Sequence, residues 1–132
     1  MKFWVDTNVL VRLVTKEPAA SFRRALALVE EAEAGRLSLA VHPLHVAEAT
    51  YVLRALYGYC REAIRDDLGV VLRLRALKVY DEGRVRRALE WMAARNVDFD
   101  DAYLALWASD RGEGVASFDR DFARLPVQWR EP

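Results

Sequence analysis

The chain has 132 residues, 53% hydrophobic and 30% charged, which suits one soluble globular domain and excludes a disordered or membrane-spanning chain. Twenty Lys and Arg balance twenty Asp and Glu, so no global positive field marks a nucleic-acid partner, and any such contact must come from a local patch. A single cysteine, Cys60, excludes an internal disulfide and suits a reducing compartment.

Taken in order, Met1, Phe3, Trp4 and Val5 predict a buried strand. The run is broken at Asp6 and carries one basic residue, so neither a signal peptide nor a membrane anchor is expected, and the cytoplasm is the expected location. Thr7 and Asn8 supply the turn and cap of a short helix with Leu10, Val11 and Val14 on one face. Asp6 therefore falls at the carboxyl end of a strand, where open α/β sheets gather their ligands. An ordinary helix cap would use the same residue.

Pro18 separates that helix from a second, Ala20 to Ala34, with Phe22, Ala25, Leu26 and Val29 at helical spacing and Gly35 as its stop. Leu37 to Val41 predicts a second strand, and His42-Pro43 opens a helix over Leu44 to Tyr57. On that helix Glu48 falls one turn from Leu44, Tyr51 and Val52. Those residues form its apolar stripe, so its carboxylate is expected to point inward, where an unpartnered Glu is rare. Gly58 ends the helix, and Arg61 to Leu74 makes the next.

Leu77 to Tyr80 predicts a third strand. Asp81 then caps a helix to Arg95, whose outer face carries Arg84, Arg86 and Arg87 and reads as a solvated surface. Asn96 to Asp101 is a second acidic concentration, opening a helix that runs to about Asp110, with Leu104, Ala105 and Ala108 one and two turns after Asp101 and Asp101 on its inward face. Val115 to Ser117 predicts a fourth strand, again ending on acid at Asp119 and Asp121. A short helix closed by Phe122 and Leu125 is broken at Pro126, and Val127 to Trp129 forms a last strand. Strands and helices alternate throughout, which predicts a parallel sheet covered on both faces in one domain spanning residues 1–132.

Two strands end in Asp and two helices carry inward carboxylates. Were the first and fourth strands neighbours, Asp6, Glu48, Asp101 and Asp119 would meet in one crevice. Carboxylates so close cannot all stay ionised without a counter-charge, and a divalent cation supplies one. Oxygen-only ligands indicate Mg²⁺ or Mn²⁺, and no Cys/His set suits zinc. His42 and His45 read as a strand-end and a helix-surface residue. A phosphatase of the haloacid dehalogenase type needs a second Asp where Asn8 stands, a dinucleotide fold needs glycines where Thr7 and Asn8 stand, and a receiver module needs a later lysine than Lys78.

Asp6-Thr7-Asn8-Val9-Leu10, Glu48 within Ala47-Glu48-Ala49, Asp101-Ala102 and Ser117-Phe118-Asp119-Arg120-Asp121-Phe122, in that order and spacing, resemble the PIN-domain ribonucleases, specifically VapC-type toxins. The resemblance covers essentially the whole chain. It implies a three-layer α/β/α fold with a central parallel sheet and an endoribonuclease dependent on one or two Mg²⁺ or Mn²⁺ ions. It also implies a homodimer and a small VapB-like antitoxin. Asp6, Glu48, Asp101 and Asp119 match the family's acidic quartet, with Asn8 and Ser117 in supporting polar positions and Asp98, Asp100 and Asp121 nearby. Ser117 stands where Thr is more usual and keeps the hydroxyl. A non-catalytic protein that retains the acidic pocket is the alternative expectation.

Overall fold

Every predicted element is present in the computed structural model, which describes all of residues 1–132. The chain forms two compact units, residues 1–81 and 82–132. All strand pairings in both are parallel, and the protein is mixed α/β.

In the first unit, β1 (Lys2–Trp4), β2 (Ser38–Val41) and β3 (Leu77–Val79) form a sheet in that order, interleaved with α1 (Thr7–Thr15), α2 (Ala19–Glu33), α3 (Pro43–Ala55) and α4 (Arg61–Leu72). The register sets Trp4 beside Ala40 and Ala40 beside Lys78. Residues in register share a sheet face, so this alignment decides which side chains stand together. β2 is the central strand, and Leu39, Ala40 and Val41 are buried. Helix α1 contributes Leu10 and Val11, and packs on α2, α3 and α4. Ile64 and Leu68 bring α4 into the same core, each burial stabilising by about 1.5–3 kcal/mol.

The buried run expected at the N-terminus is corrected. Val5 is 3% exposed, but Phe3 and Trp4 are 45% and 54% exposed and Met1 is open to solvent. β1 stands at the end of its three-stranded sheet, so an apolar composition did not oblige both of its faces to be covered. The stripe on α3 is also rotated from the expected one. Val46, Ala49, Thr50 and Leu53 face the core, while Leu44 and Tyr51 are exposed. The small residues at 49 and 50 allow close packing on α1, and the larger apolar side chains are left outside.

In the second unit, α5 (Glu82–Arg95) packs on α6 (Phe99–Ser109) through Val85, Ala88, Leu89 and Met92 against Ala102, Ala105 and Leu106. β4 (Val115–Ala116) pairs with β5 (Trp129–Arg130), joined by a 3-10 turn over Arg120–Arg124. A Cβ at Gly114 would meet the Gln128 carbonyl oxygen at 2.8 Å, so glycine is what lets these two segments approach. Asp81, expected to cap this helix, directly precedes α5 with φ of 55°, in the left-handed region. The expected solvated arginine face is partly corrected: Arg84 and Arg87 both bond Asp110 at 3.1 Å and tie α5 to the end of α6. Arg86 pairs with Glu82 on its own helix. No helix is long and apolar enough to cross a membrane.

Candidate functional site

Asp6 caps α1 from the extended conformation, its Oδ1 accepting the Val9 amide at 3.3 Å. The cap reading and the strand-end reading are thus both realised. Asn8 is exposed in the first turn of the same helix.

Glu48 corrects its expectation, because its side chain is 56% exposed rather than turned into the core. Two residues that sequence reasoning passed over hold it instead. Thr7 donates its hydroxyl hydrogen to Glu48 Oε2 at 2.6 Å, and His45 Nδ1 lies 3.0 Å from the same hydroxyl oxygen. A hydroxyl has one hydrogen, and it is spent on the carboxylate. The network therefore assigns a hydrogen to His45 Nδ1, which donates to Thr7. The available signal was spacing: Thr7 follows Asp6 directly, and His45 lies three residues before Glu48 on one helix face. His42 is the cap of α3, its Nδ1 accepting the Leu44 amide at 3.0 Å.

The second unit contains the denser acidic group. Asp98 is the cap residue of α6, and Asp100 and Asp101 occupy its first turn. Carboxylate oxygens of Asp98, Asp100 and Asp101 lie within 4.8 Å of one another, as do those of Asp101, Asp119 and Asp121. Asp101 belongs to both triplets and is half-buried. Its carboxyl is pushed up from the ordinary 3.8 to about 6, first by burial and then by Asp100, Asp119, Asp98 and Asp121. A helix N-terminus favours an anion by only about 0.3–1 kcal/mol, and here burial and four neighbouring acids outweigh it.

Backbone turns fix the partners of Asp101. Ser117 Oγ accepts the Asp119 amide at 2.9 Å, and Asp119 Oδ1 accepts the Asp121 amide at 2.8 Å, which caps the 3-10 turn. Arg124, also passed over in the sequence, bonds Asp121 Oδ1 at 2.8 Å. It also donates to the carbonyls of Arg95 and Asn96, at 3.1 and 2.9 Å, and so ties the 3-10 turn to the segment leading into α6. The structure thus gathers Asp98, Asp100, Asp101, Asp119 and Asp121 in one unit, and Asp6 with the Thr7-held Glu48 belongs to the other.

Fold and side chains define a class: a parallel α/β protein with strand-end and helix-start carboxylates, whose all-oxygen donor set fits a hard cation and lacks the soft ligands of a zinc site. More narrowly, the chain belongs to the PIN domain family, whose model matches residues 3–128. PIN domains are generally nucleases that use divalent metals, so at the coarse level this is a nuclease-class hydrolase. Among solved structures it is similar to a chain in the crystal structure of VapBC2 from Rickettsia felis bound to a DNA fragment from their promoter. The identity is 15% and the TM-score 0.40, covering 99% of this chain and 98% of that one. No curated protein matches.

Proposed function

We propose that the chain is an endoribonuclease dependent on Mg²⁺ or Mn²⁺ and acts as the toxin of a VapBC-type toxin–antitoxin pair. The observation that carries this reading is the crowding at Asp101, where three carboxylates lie within 4.8 Å and one is pushed up to about 6. Acids gathered this closely around Asp101, with Arg124 bonded to Asp121 of the group, favour a hard cation among them. In this reading the carboxylate ligands for one or two ions are Asp101 and Asp119 of the second unit, supported by Ser117, Asp98 and Asp121, and Asp6 and Glu48 of the first, supported by Asn8. When bound, the ion activates water and stabilises charge on the oxygens of the scissile phosphodiester.

The chain's own residues keep the ligands in place. Ser117 and the Asp121 amide orient Asp119, Arg124 restrains Asp121, and Thr7 with His45 fixes the direction of the Glu48 carboxylate. With its carboxyl pushed up to about 6, Asp101 would hold a cation less well as pH drops through that value, because the proton and the ion would compete for it. Family membership supports nuclease chemistry, and the order of the acidic motifs supports the VapC type. On the same ground we assign an RNA substrate, a small VapB-like antitoxin, a homodimer and the cytoplasm.

The test is incubation of the purified protein with a structured RNA in Mn²⁺, Mg²⁺ or EDTA. Cation-dependent cleavage that Asp101→Asn abolishes is the expected result. Absence of cleavage in every condition, with a melting temperature that no cation moves, would sink the proposal in favour of an inert acidic scaffold.

A further inference from the structure

Three aromatic rings run along the carboxyl edge of the first unit's sheet. Trp4 is the last residue of β1, His42 directly follows β2, and Tyr80 directly follows β3. Ring centroids of Trp4 and His42 are 6.3 Å apart at 61°, and those of His42 and Tyr80 are 6.0 Å apart and nearly parallel at 13°. Trp4 and Tyr80 are 54% and 61% exposed, and His42 is exposed between them. Such rings in water usually mark a surface that binds something.

The row is preorganised. His42 is fixed by its bond to the Leu44 amide, and the Tyr80 amide donates to the Val41 carbonyl at 2.9 Å, extending the ladder by one residue. Asp81 then turns the chain away with φ of 55°. The rings therefore keep their spacing without needing a ligand to order them.

Charge on this face selects among ligands. The chain has only three lysines, Lys2, Lys16 and Lys78. Lys2 shares the face of Trp4, two residues along the strand, and its Nζ lies 5.0 Å from the Trp4 ring centroid. Lys78 is in register with Ala40, and Ala40 with Trp4, so it points to the same side. In a chain of zero net charge, two of three lysines flank the aromatic row. Rings that stack and ammonium groups that meet phosphate are the two components of a single-strand nucleic-acid surface. The sheet edge is also the one at which Asp6 starts α1.

We propose that Trp4, His42 and Tyr80 form a stacking platform for successive bases of single-stranded RNA, with Lys2 and Lys78 meeting the backbone phosphates. This rests on the nuclease reading for its choice of RNA. It extends that reading by naming where the strand lies on the sheet edge that carries Asp6. Bases are held by their π-faces, so the platform tolerates different sequences and prefers unpaired segments over duplex.

The test is binding of a labelled single-stranded RNA oligonucleotide to the full chain in EDTA, where cleavage cannot interfere, alongside a cleavage assay in Mn²⁺. Trp4→Ala and Tyr80→Ala should each weaken binding by about five- to a hundredfold, and Trp4→Phe should retain most of it. An otherwise identical strand with abasic positions should bind the wild type weakly and be indifferent to the alanine changes. Lys2→Gln and Lys78→Gln should each lower the slope of log affinity against log salt by about one. Circular dichroism confirms that each variant is folded. Folded alanine variants that bind like wild type overturn the platform, even if the wild type cleaves RNA. Base-dependent binding lost in those variants upholds it, even if the wild type cleaves nothing and the nuclease reading falls. Unchanged RNA affinity with an altered sedimentation coefficient would assign the rings to a second copy of the chain and overturn the proposal.

Discussion

The acids of the two units are held in opposite ways. Glu48 lies in a hydrogen-bond network, with the Thr7 hydroxyl bonded to it and His45 behind, while Asp6 is engaged by the Val9 amide. Asp101, by contrast, is half-buried among four other aspartates, and burial first, then those acids, push its carboxyl up to about 6. Asp110, in the same unit, is different again: hydrogen bonds from Arg84, then Arg87, hold its carboxyl below the usual range. The comparison teaches that an acid-rich sequence is no measure of unmet charge. Where two arginines answer the carboxylate, as at Asp110, it ties elements together, and where carboxylates crowd one another, as around Asp101, a cation is favoured.

The largest effect expected from this contrast is on chemistry. Asp101→Asn and Asp119→Asn should each reduce RNA cleavage more than about a hundredfold while leaving the circular dichroism unchanged. Full cleavage by either folded variant would remove that residue from the site. Thr7→Val should act less severely. It removes the donor that orients Glu48 at 2.6 Å, and loss of such a supporting bond costs roughly tenfold in metal affinity or activity, readable by titrating Mn²⁺.

Stability gives smaller effects of opposite sign. Because Asp101 is raised when folded, the native state holds more protons than the unfolded chain between about pH 4 and 6, and stability declines as pH rises through that window. Asp101→Asn should abolish this slope. At neutral pH without metal it should stabilise the protein by about 1 kcal/mol after solvent screening, as read by urea denaturation. A destabilised variant would contradict the crowding. Asp110→Asn should do the reverse. A lowered carboxyl contributes stability above its unfolded value of 3.8 that is lost as pH falls, so this variant should melt earlier than wild type at neutral pH and alike in strong acid.

Much of the fold was legible because its punctuation is local. Pro43 at the start of α3, Gly35 and Gly58 with φ of 78° and 71° after helices, and alternation of strand with helix all follow from short-range backbone preferences. Asp101 as an inward acid was legible too, since its helical position relative to Ala105 and Ala108 is fixed by periodicity. What failed depended on neighbours. Leu44 and Tyr51 offer as large a hydrophobic surface as Val46 and Leu53, and packing against α1 and α4 decides which set turns inward, carrying Glu48 outward with the loser. Exposure of Phe3 and Trp4 depends on β1 ending its sheet, a matter of strand order. Thr7, His45 and Arg124 were missed because their roles are contacts across elements, and a hydroxyl or guanidinium is too common to announce one.

The most direct measurement is the melting temperature of the wild type and of Asp101→Asn, at neutral pH, in EDTA and in Mn²⁺. At an ion concentration about a hundredfold above its dissociation constant, the wild type should gain about 2.7 kcal/mol, a rise of roughly 8 °C, while Asp101→Asn gains little. A wild type that melts at the same temperature in both buffers, or a variant that rises as far as the wild type, would contradict the view that the aspartates around Asp101 are gathered to hold a cation.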